Sequence, residues 1–209
     1  MDEINLNPDN NSEDDNKPIK PKIKIPVFLI FLFDLIKLVA IAFLIVWPIH
    51  YFIFQPFYVV GPSMEPNFYD KDYLIITKIN YRFNSPQRGE VVIFKSPINP
   101  KDFLIKRVIG LPGEQVIIKS GKINIHKDNQ EIELKEEDYL PAGITTLGEI
   151  DVTLKSDEYY VLGDNRNMSL DSRVFGQIKK SYIVGQAWFR GWPLNDFGFI
   201  KTSVFANHQ

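Results

Sequence analysis

The run DFLIKRVIGLPGEQVIIKSGKINIHK, residues 102–127, sets the character of the chain. Short stretches of Ile, Val, Leu and Phe are broken by Pro-Gly and Ser-Gly, too often for a packed helix to form. β-branched side chains lose rotamer freedom against a helical turn but fit a pleated surface. The spacing predicts strands over DFLIKRVIG, EQVIIKS and GKINIHK. LPGE has the residue order of a type II turn, and KSGK reads as a tight hairpin. Upstream, DYLIITKI and GEVVIFKS have the same texture; downstream, so do EYYVLGD and SYIVGQAWF. No internal repeat and no long, strongly amphipathic helix follow residue 58. The expected class is mainly β, a curled antiparallel sheet or barrel-like sandwich, behind one N-terminal transmembrane helix.

That helix is read from the other end of the chain. Residues 1–16 are acidic, polar and nearly free of apolar side chains, the texture of a disordered tail. Lys17, Lys20, Lys22 and Lys24 follow, and residues 27–57 then turn apolar. Their most continuous part, residues 35–54, meets the ~20 residues needed to cross a hydrocarbon core. A cleavable leader fits poorly, because the apolar region begins only after a long polar tail and no small-x-small site follows it. Asp34 and Lys37 stand three apart and can pair on one helical face. Lysines precede the span and little positive charge follows it, so the positive-inside rule puts the N-terminus in the cytoplasm. The expected division is a polar tail over 1–24, a membrane segment over 25–57 with its core at 35–54, and an extracytoplasmic β-rich domain over 58–209.

Composition narrows the chemistry. With 24 basic and 26 acidic side chains, the chain has no polybasic field to gather nucleic acid. It contains no cysteine, which removes disulfides, thiolate metal sites and cysteine nucleophiles. Its three histidines, His50, His126 and His208, have no metal-ligand spacing and no catalytic context. The expectation is no metal and no cofactor.

Three stretches carry the candidate site. VVGPSMEPNFYD, residues 59–70, places Ser63 among turn formers; taken alone, it is a turn residue. As a nucleophile it would need a base within hydrogen-bond reach. LIKRVIG supplies Lys106 in an apolar strand. Alternation groups Lys106 with Leu104 and Val108, and Arg107 with Ile105 and Ile109, so either basic residue can lie among apolar neighbours. A buried lysine has a lowered pKa and can act as a base when neutral. The third stretch, LGDNRNMSLDSRVFG over residues 162–176, runs from a strand into a polar loop with Asp164, Asn165, Arg166, Ser169, Asp171 and Arg173.

Together these stretches resemble the bacterial-type (type I) signal peptidases, Ser/Lys proteases that remove signal peptides from exported proteins. GPSMEPNF is similar to the family's nucleophile motif and RGEVVIFK to its following strand motif. LIKRVIGLPGE is similar to its lysine motif, and LGDNRNMSLDSRVFG to its late Gly-Asp-Asn-Arg motif. They stand in the family's order behind an N-terminal anchor and cover roughly residues 35–195. The resemblance implies that Ser63 is the nucleophile and that Lys106 is the general base and later the proton donor to the leaving amine. It implies that Ser169 hydrogen-bonds and orients the lysine, and that Asp171 and Arg173 form a supporting charged pair. Asp164, Asn165 and Arg166 would be structural, and Met64 would line the cleft. The implied partners are secretory precursors with small residues before the cut, together with the lipid bilayer. The implied location is the bacterial cytoplasmic (inner) membrane, with the catalytic domain on its outer, periplasmic face.

Two positions depart from the family pattern. Gly61 stands where some members have a serine that donates to the oxyanion, and Pro62 has no amide hydrogen, which leaves more of that task to the Ser63 N–H. Met168 stands where an asparagine commonly precedes the orienting serine. The self-cleaving repressors share the dyad on a related β fold, but they need a helix-turn-helix where this chain has an apolar span. A non-enzymatic anchored β module would have lost catalytic positions that are all filled here. A mitochondrial or plastid processing peptidase is a variant within the same class, but organelle-targeting segments are poor in acidic residues.

Overall fold

The computed structural model describes residues 26–52, 54–128 and 130–202. The polar tail with its four lysines, and His208, lie outside them. Two units divide the chain, Met1–Phe43 and Leu44–Gln209. Helix α1 covers Val27–Phe52 and contains Pro48. Its 26 residues extend about 39 Å at the α-helical rise, more than the ~30 Å of a hydrocarbon core. The apolar window is Val27–Pro48, with a mean hydropathy of 2.8 and none of it buried within the protein. It begins eight residues before the 35–54 core expected from the sequence, because Asp34 and Lys37 interrupt the run without ending the helix. Those two form an ion pair at 3.7 Å, and Lys37 also sits over the Phe33 ring.

The remaining elements are nearly all strands: β1 (Phe54–Tyr58), β2 (Tyr73–Thr77), a one-turn helix α2 (Asn80–Phe83), β3 (Val91–Lys95) and β4 (Phe103–Gly110). Next come β5 (Gln115–Lys119), β6 (Lys122–Lys127), β7 (Gln130–Glu133), β8 (Ile150–Thr153) and β9 (Glu158–Leu162). A second one-turn helix, α3 (Ser172–Phe175), precedes β10 (Ile178–Lys179), β11 (Ile183–Trp192) and β12 (Gly198–Phe199). All seven strands expected from the sequence form. Five short ones had no usable signal. β1 contains Pro56 on a sheet edge, β7 is exposed along its whole length, β8 has four residues, and β10 and β12 have two each.

Every pairing is antiparallel. The larger sheet runs β1-β2-β11-β3-β4-β9-β10 with β12 added to β11, and the smaller runs β7-β6-β5-β8. β11 shifts register against both β2 and β3, and β4 shifts against β9 between Val108 and Gly110. Such bulges increase local twist and bend a sheet, which gives the curl. The sheets are linked through the LPGE turn, where the Glu114 N–H returns to the Leu111 carbonyl at 3.2 Å. The KSGK hairpin has positive φ at both Ser120 (53°) and Gly121 (80°), the type I′ geometry that matches strand twist.

Apolar alternation then sorts the core. On β3, Val91 and Ile93 face one cluster with Met64, Phe68, Leu74, Ile76 and Ile105. Val92 and Phe94 face another with Val108, Tyr159 and Val161. The smaller sheet packs Val116, Ile118, Ile123 and Ile125 against Ile109, Tyr160 and Leu162. Each such fully buried side chain stabilises the fold by ~1.5–3 kcal/mol. β3 from Val91 to Phe94 and β4 from Ile105 to Gly110 are therefore buried, and a charged side chain in that stretch of β4 is held away from bulk solvent.

Candidate active site

The serine stands on a turn pinned from below. After β1, the Val59 N–H donates to the Asp72 carbonyl and the Lys71 N–H to the Val59 carbonyl, both at 2.9 Å. Gly61 takes φ +83°, a conformation costly for any side chain, and its N–H donates to Asp70 Oδ1 at 2.9 Å. The Glu65 N–H then returns to the Pro62 carbonyl at 3.1 Å and the Phe68 N–H to the Met64 carbonyl at 2.9 Å. Val59, Met64 and Phe68 are sunk in the core, while Ser63 between them stays half-buried. Met64 is fully buried, so it supports the turn from inside rather than offering an open cleft wall.

Lys106 lies in β4 directly opposite Val92 and is only 2% exposed. Its Nζ donates to Ser63 Oγ at 2.7 Å and to the Ile105 carbonyl at 2.7 Å. Burial pulls its pKa from 10.5 down to about 8, against the opposing pull of Asp171 and Asp164. A sizeable neutral fraction therefore exists near physiological pH.

The polar loop after β9 ties these two segments together. The Asn165 N–H donates to the Ser63 carbonyl at 3.1 Å. Asp164 is held bidentately by Arg107, Nε to Oδ1 at 2.8 Å and Nη2 to Oδ2 at 2.6 Å, while Arg107 Nη1 reaches the Gly89 carbonyl at 2.8 Å. Asp171 caps α3 and accepts from Arg173 Nε at 2.9 Å, Arg173 Nη2 at 2.8 Å and the Gly163 N–H at 3.1 Å. Burial pushes its carboxyl up, but Arg173 and the Gly163 N–H outweigh that and hold it below the usual range. Arg166 donates to the Gly163 carbonyl at 2.9 Å and to Tyr139 Oη at 2.7 Å, and also bonds Glu136 and Thr146. Gly163 allows this packing: a Cβ there would lie 2.1 Å from Ser169 Oγ and 2.5 Å from the Ser63 carbonyl oxygen.

Ser169 differs from the expectation. Its Oγ is buried near Asp171, whose carboxyl it helps to hold low, yet it forms no well-made hydrogen bond, to Lys106 or to any other group. The Ile105 carbonyl takes the second bond of Lys106 instead, because it lies on the same strand one residue back. Met168, the other departure, is exposed and donates its N–H to Asn165 Oδ1 at 3.2 Å.

Sequence reasoning missed several contributors. A main-chain carbonyl such as that of Ile105 leaves no trace in composition. Glu136, Tyr139 and Thr146 converge on Arg166 from a segment without strand or motif signal. His126 pairs with Glu131 at 3.2 Å in the smaller sheet. Among the described residues, no three or more His, Asp or Glu side chains converge as metal ligands would.

A curled antiparallel sheet that sets a turn serine against a buried lysine is an arrangement open to serine-hydrolase chemistry. The family model "Signal peptidase, peptidase S26" matches residues 32–192, and the chain belongs to that family. The "Probable signal peptidase I-2" of Synechocystis sp. is 35% identical over 181 residues, 82% of this chain and 78% of that one. The "Signal peptidase IB" of Staphylococcus aureus is 33% identical over 173 residues, 77% of this chain and 90% of that one. A crystal structure of a signal peptidase I from Enterococcus faecalis aligns with 30% identity and a TM-score of 0.42, covering 49% of this chain and 97% of that one. That score is too low to define the fold, which the strand pairing already establishes.

Proposed function

We propose that this chain is a membrane-anchored serine endopeptidase that removes signal peptides from exported precursors, with Ser63 as nucleophile and Lys106 as general base. The observation that carries the reading is the 2.7 Å contact between Lys106 Nζ and Ser63 Oγ, which sets a buried lysine on β4 against a half-buried serine. Once neutral, Lys106 accepts the Ser63 proton as Oγ attacks the carbonyl at the cut. The resulting ammonium then protonates the leaving amine, and a water activated by the same amine releases the acyl group. The Gly61 N–H is engaged by Asp70 and Pro62 has none, so the Ser63 N–H is the oxyanion donor this turn offers. Asp171, Arg173, Asp164, Asn165 and Arg166 hold the loop that fixes both partners.

The anchor is α1, with the N-terminus in the cytoplasm and residues from about 58 onward on the outer face of the bacterial inner membrane. The support is the lysine cluster ahead of an apolar helix and the family's signal-peptidase relatives. Holding the enzyme beside substrates that are themselves in the bilayer raises their effective concentration without new contacts. The test is incubation of the full chain in detergent with a precursor that carries a signal peptide. Wild type releases the mature product and Ser63→Ala does not; equal processing by the two would falsify the assignment.

A further inference from the structure

Four residues beyond the serine, Asn67 occupies a junction that neither the turn nor the dyad requires for its own shape. Its side-chain amide donates to Asp164 Oδ2 at 2.8 Å and to the Tyr139 carbonyl at 2.7 Å, which uses both of its N–H bonds. Its own main-chain carbonyl accepts from Arg190, whose guanidinium also lies 4.8 Å over the Phe68 ring. Asp164 is in turn clamped by Arg107, the residue next to Lys106 on β4. These contacts close a ring from Ser63 Oγ to Lys106 Nζ, through Arg107 and Asp164 to Asn67, and back along the turn to Ser63. The Asn165 N–H holds the Ser63 carbonyl at one end of the turn; Asn67 holds the other end.

We propose that Asn67 is a positioning residue that ties the serine turn to the lysine strand through Asp164 and so sets the Ser63–Lys106 distance. This rests on the Ser63/Lys106 reading above. The Asn67 side-chain amide bonds Asp164 and the Tyr139 carbonyl, not Ser63 Oγ or Lys106 Nζ. Its loss lets the turn drift relative to β4, and a misplacement near an ångström lowers a chemical step by ~10²-fold. An aspartate at 67 keeps the size but sets a second carboxylate against Asp164.

The experiment compares wild type, Asn67→Ala, Asn67→Asp and Ser63→Ala as full chains in detergent on one precursor, with kcat, KM and Tm measured for each. The expected result is kcat about 10- to 100-fold down in Asn67→Ala, with KM within about threefold of wild type. Asn67→Asp is expected to be the slower of the two. A space-filling role predicts the opposite order, because aspartate preserves the volume. Wild-type kcat in either folded variant overturns the proposal, as does a loss confined to KM or a loss of folding in both. If Ser63→Ala itself cleaves, the serine reading fails; if it is inert while Asn67→Ala keeps full kcat, only the role of Asn67 fails.

Discussion

Lys106 Nζ sits 2.7 Å from Ser63 Oγ and 2.7 Å from the carbonyl of Ile105, on a side chain that is itself buried. Burial favours the amine, whereas the carboxylates of Asp171 and Asp164 favour the ammonium. The balance falls at a pKa of about 8. Only the amine can take the serine proton, so activity should rise with pH through about 8, and at pH 7 about a tenth of the molecules carry a usable base. A pH–kcat/KM profile checks this. Lys106→Arg keeps the charge, cannot release it, and is expected to be nearly inactive across the whole range.

The same burial costs stability. The folded-state pKa of Lys106 is lower than its unfolded value, so below about 8 the protein carries the full penalty of a buried ammonium. Between about 8 and 10.5 the unfolded chain holds a proton that the folded one has released, and stability rises with pH across that window. Lys106→Met should therefore be inactive but more stable than wild type by about 1–3 kcal/mol at neutral pH, after allowing for the two lost hydrogen bonds. The gain should shrink as pH approaches 10. Thermal unfolding at pH 7 and pH 10 reads the difference; a less stable variant at pH 7 would show that Lys106 is not held against its charge.

The β strands, the serine turn and the lysine strand were legible because each has a local signature. Strands such as VVIFK alternate and end at turn formers, and Ser63 and Lys106 stand in recognisable neighbourhoods. Which of the two basic residues of β4 faces the serine was not legible, since Leu104 and Val108 flank Lys106 on one face just as Ile105 and Ile109 flank Arg107 on the other. That choice is made by long-range partners, Val92 across the strand and Ser63 from another element. The Arg107–Asp164 clamp and the Glu136–Arg166 contact span 57 and 30 residues, and no local pattern links such positions. Ser169 was placed near the dyad by analogy, but its bonding depends on distances that only packing sets.

Gly163 offers a test of that packing. Its position admits no side chain, with Ser169 Oγ and the Ser63 carbonyl oxygen both inside the space a methyl group would need. Gly163→Ala must displace the serine turn or the loop, at ~1–3 kcal/mol of strain. The expected outcome is a lowered Tm together with a loss of kcat of about 100-fold, because the displaced carbonyl belongs to Ser63, the proposed nucleophile. A stable variant of wild-type activity would mean that the turn and loop can separate without consequence for the dyad.

Ser169 makes an opposite prediction, because its buried hydroxyl has only a loose contact, with the Asp171 carboxyl. A poorly bonded buried hydroxyl recovers little of its desolvation cost of about 1–3 kcal/mol, so replacing it by a methyl group should change stability little. Its Oγ nevertheless lies beside Gly163, in the same small space as the Ser63 carbonyl oxygen. If it orients Lys106 during turnover, the bond forms only in that state, and Ser169→Ala lowers kcat while leaving Tm nearly unchanged. The loss should be smaller than in Ser63→Ala or Lys106→Arg, since no reacting atom is removed. Tm and kcat measured on the same preparation separate the possibilities. A fall in Tm of several degrees would mean that the hydroxyl already holds the folded state together, and an unchanged kcat would remove Ser169 from the mechanism.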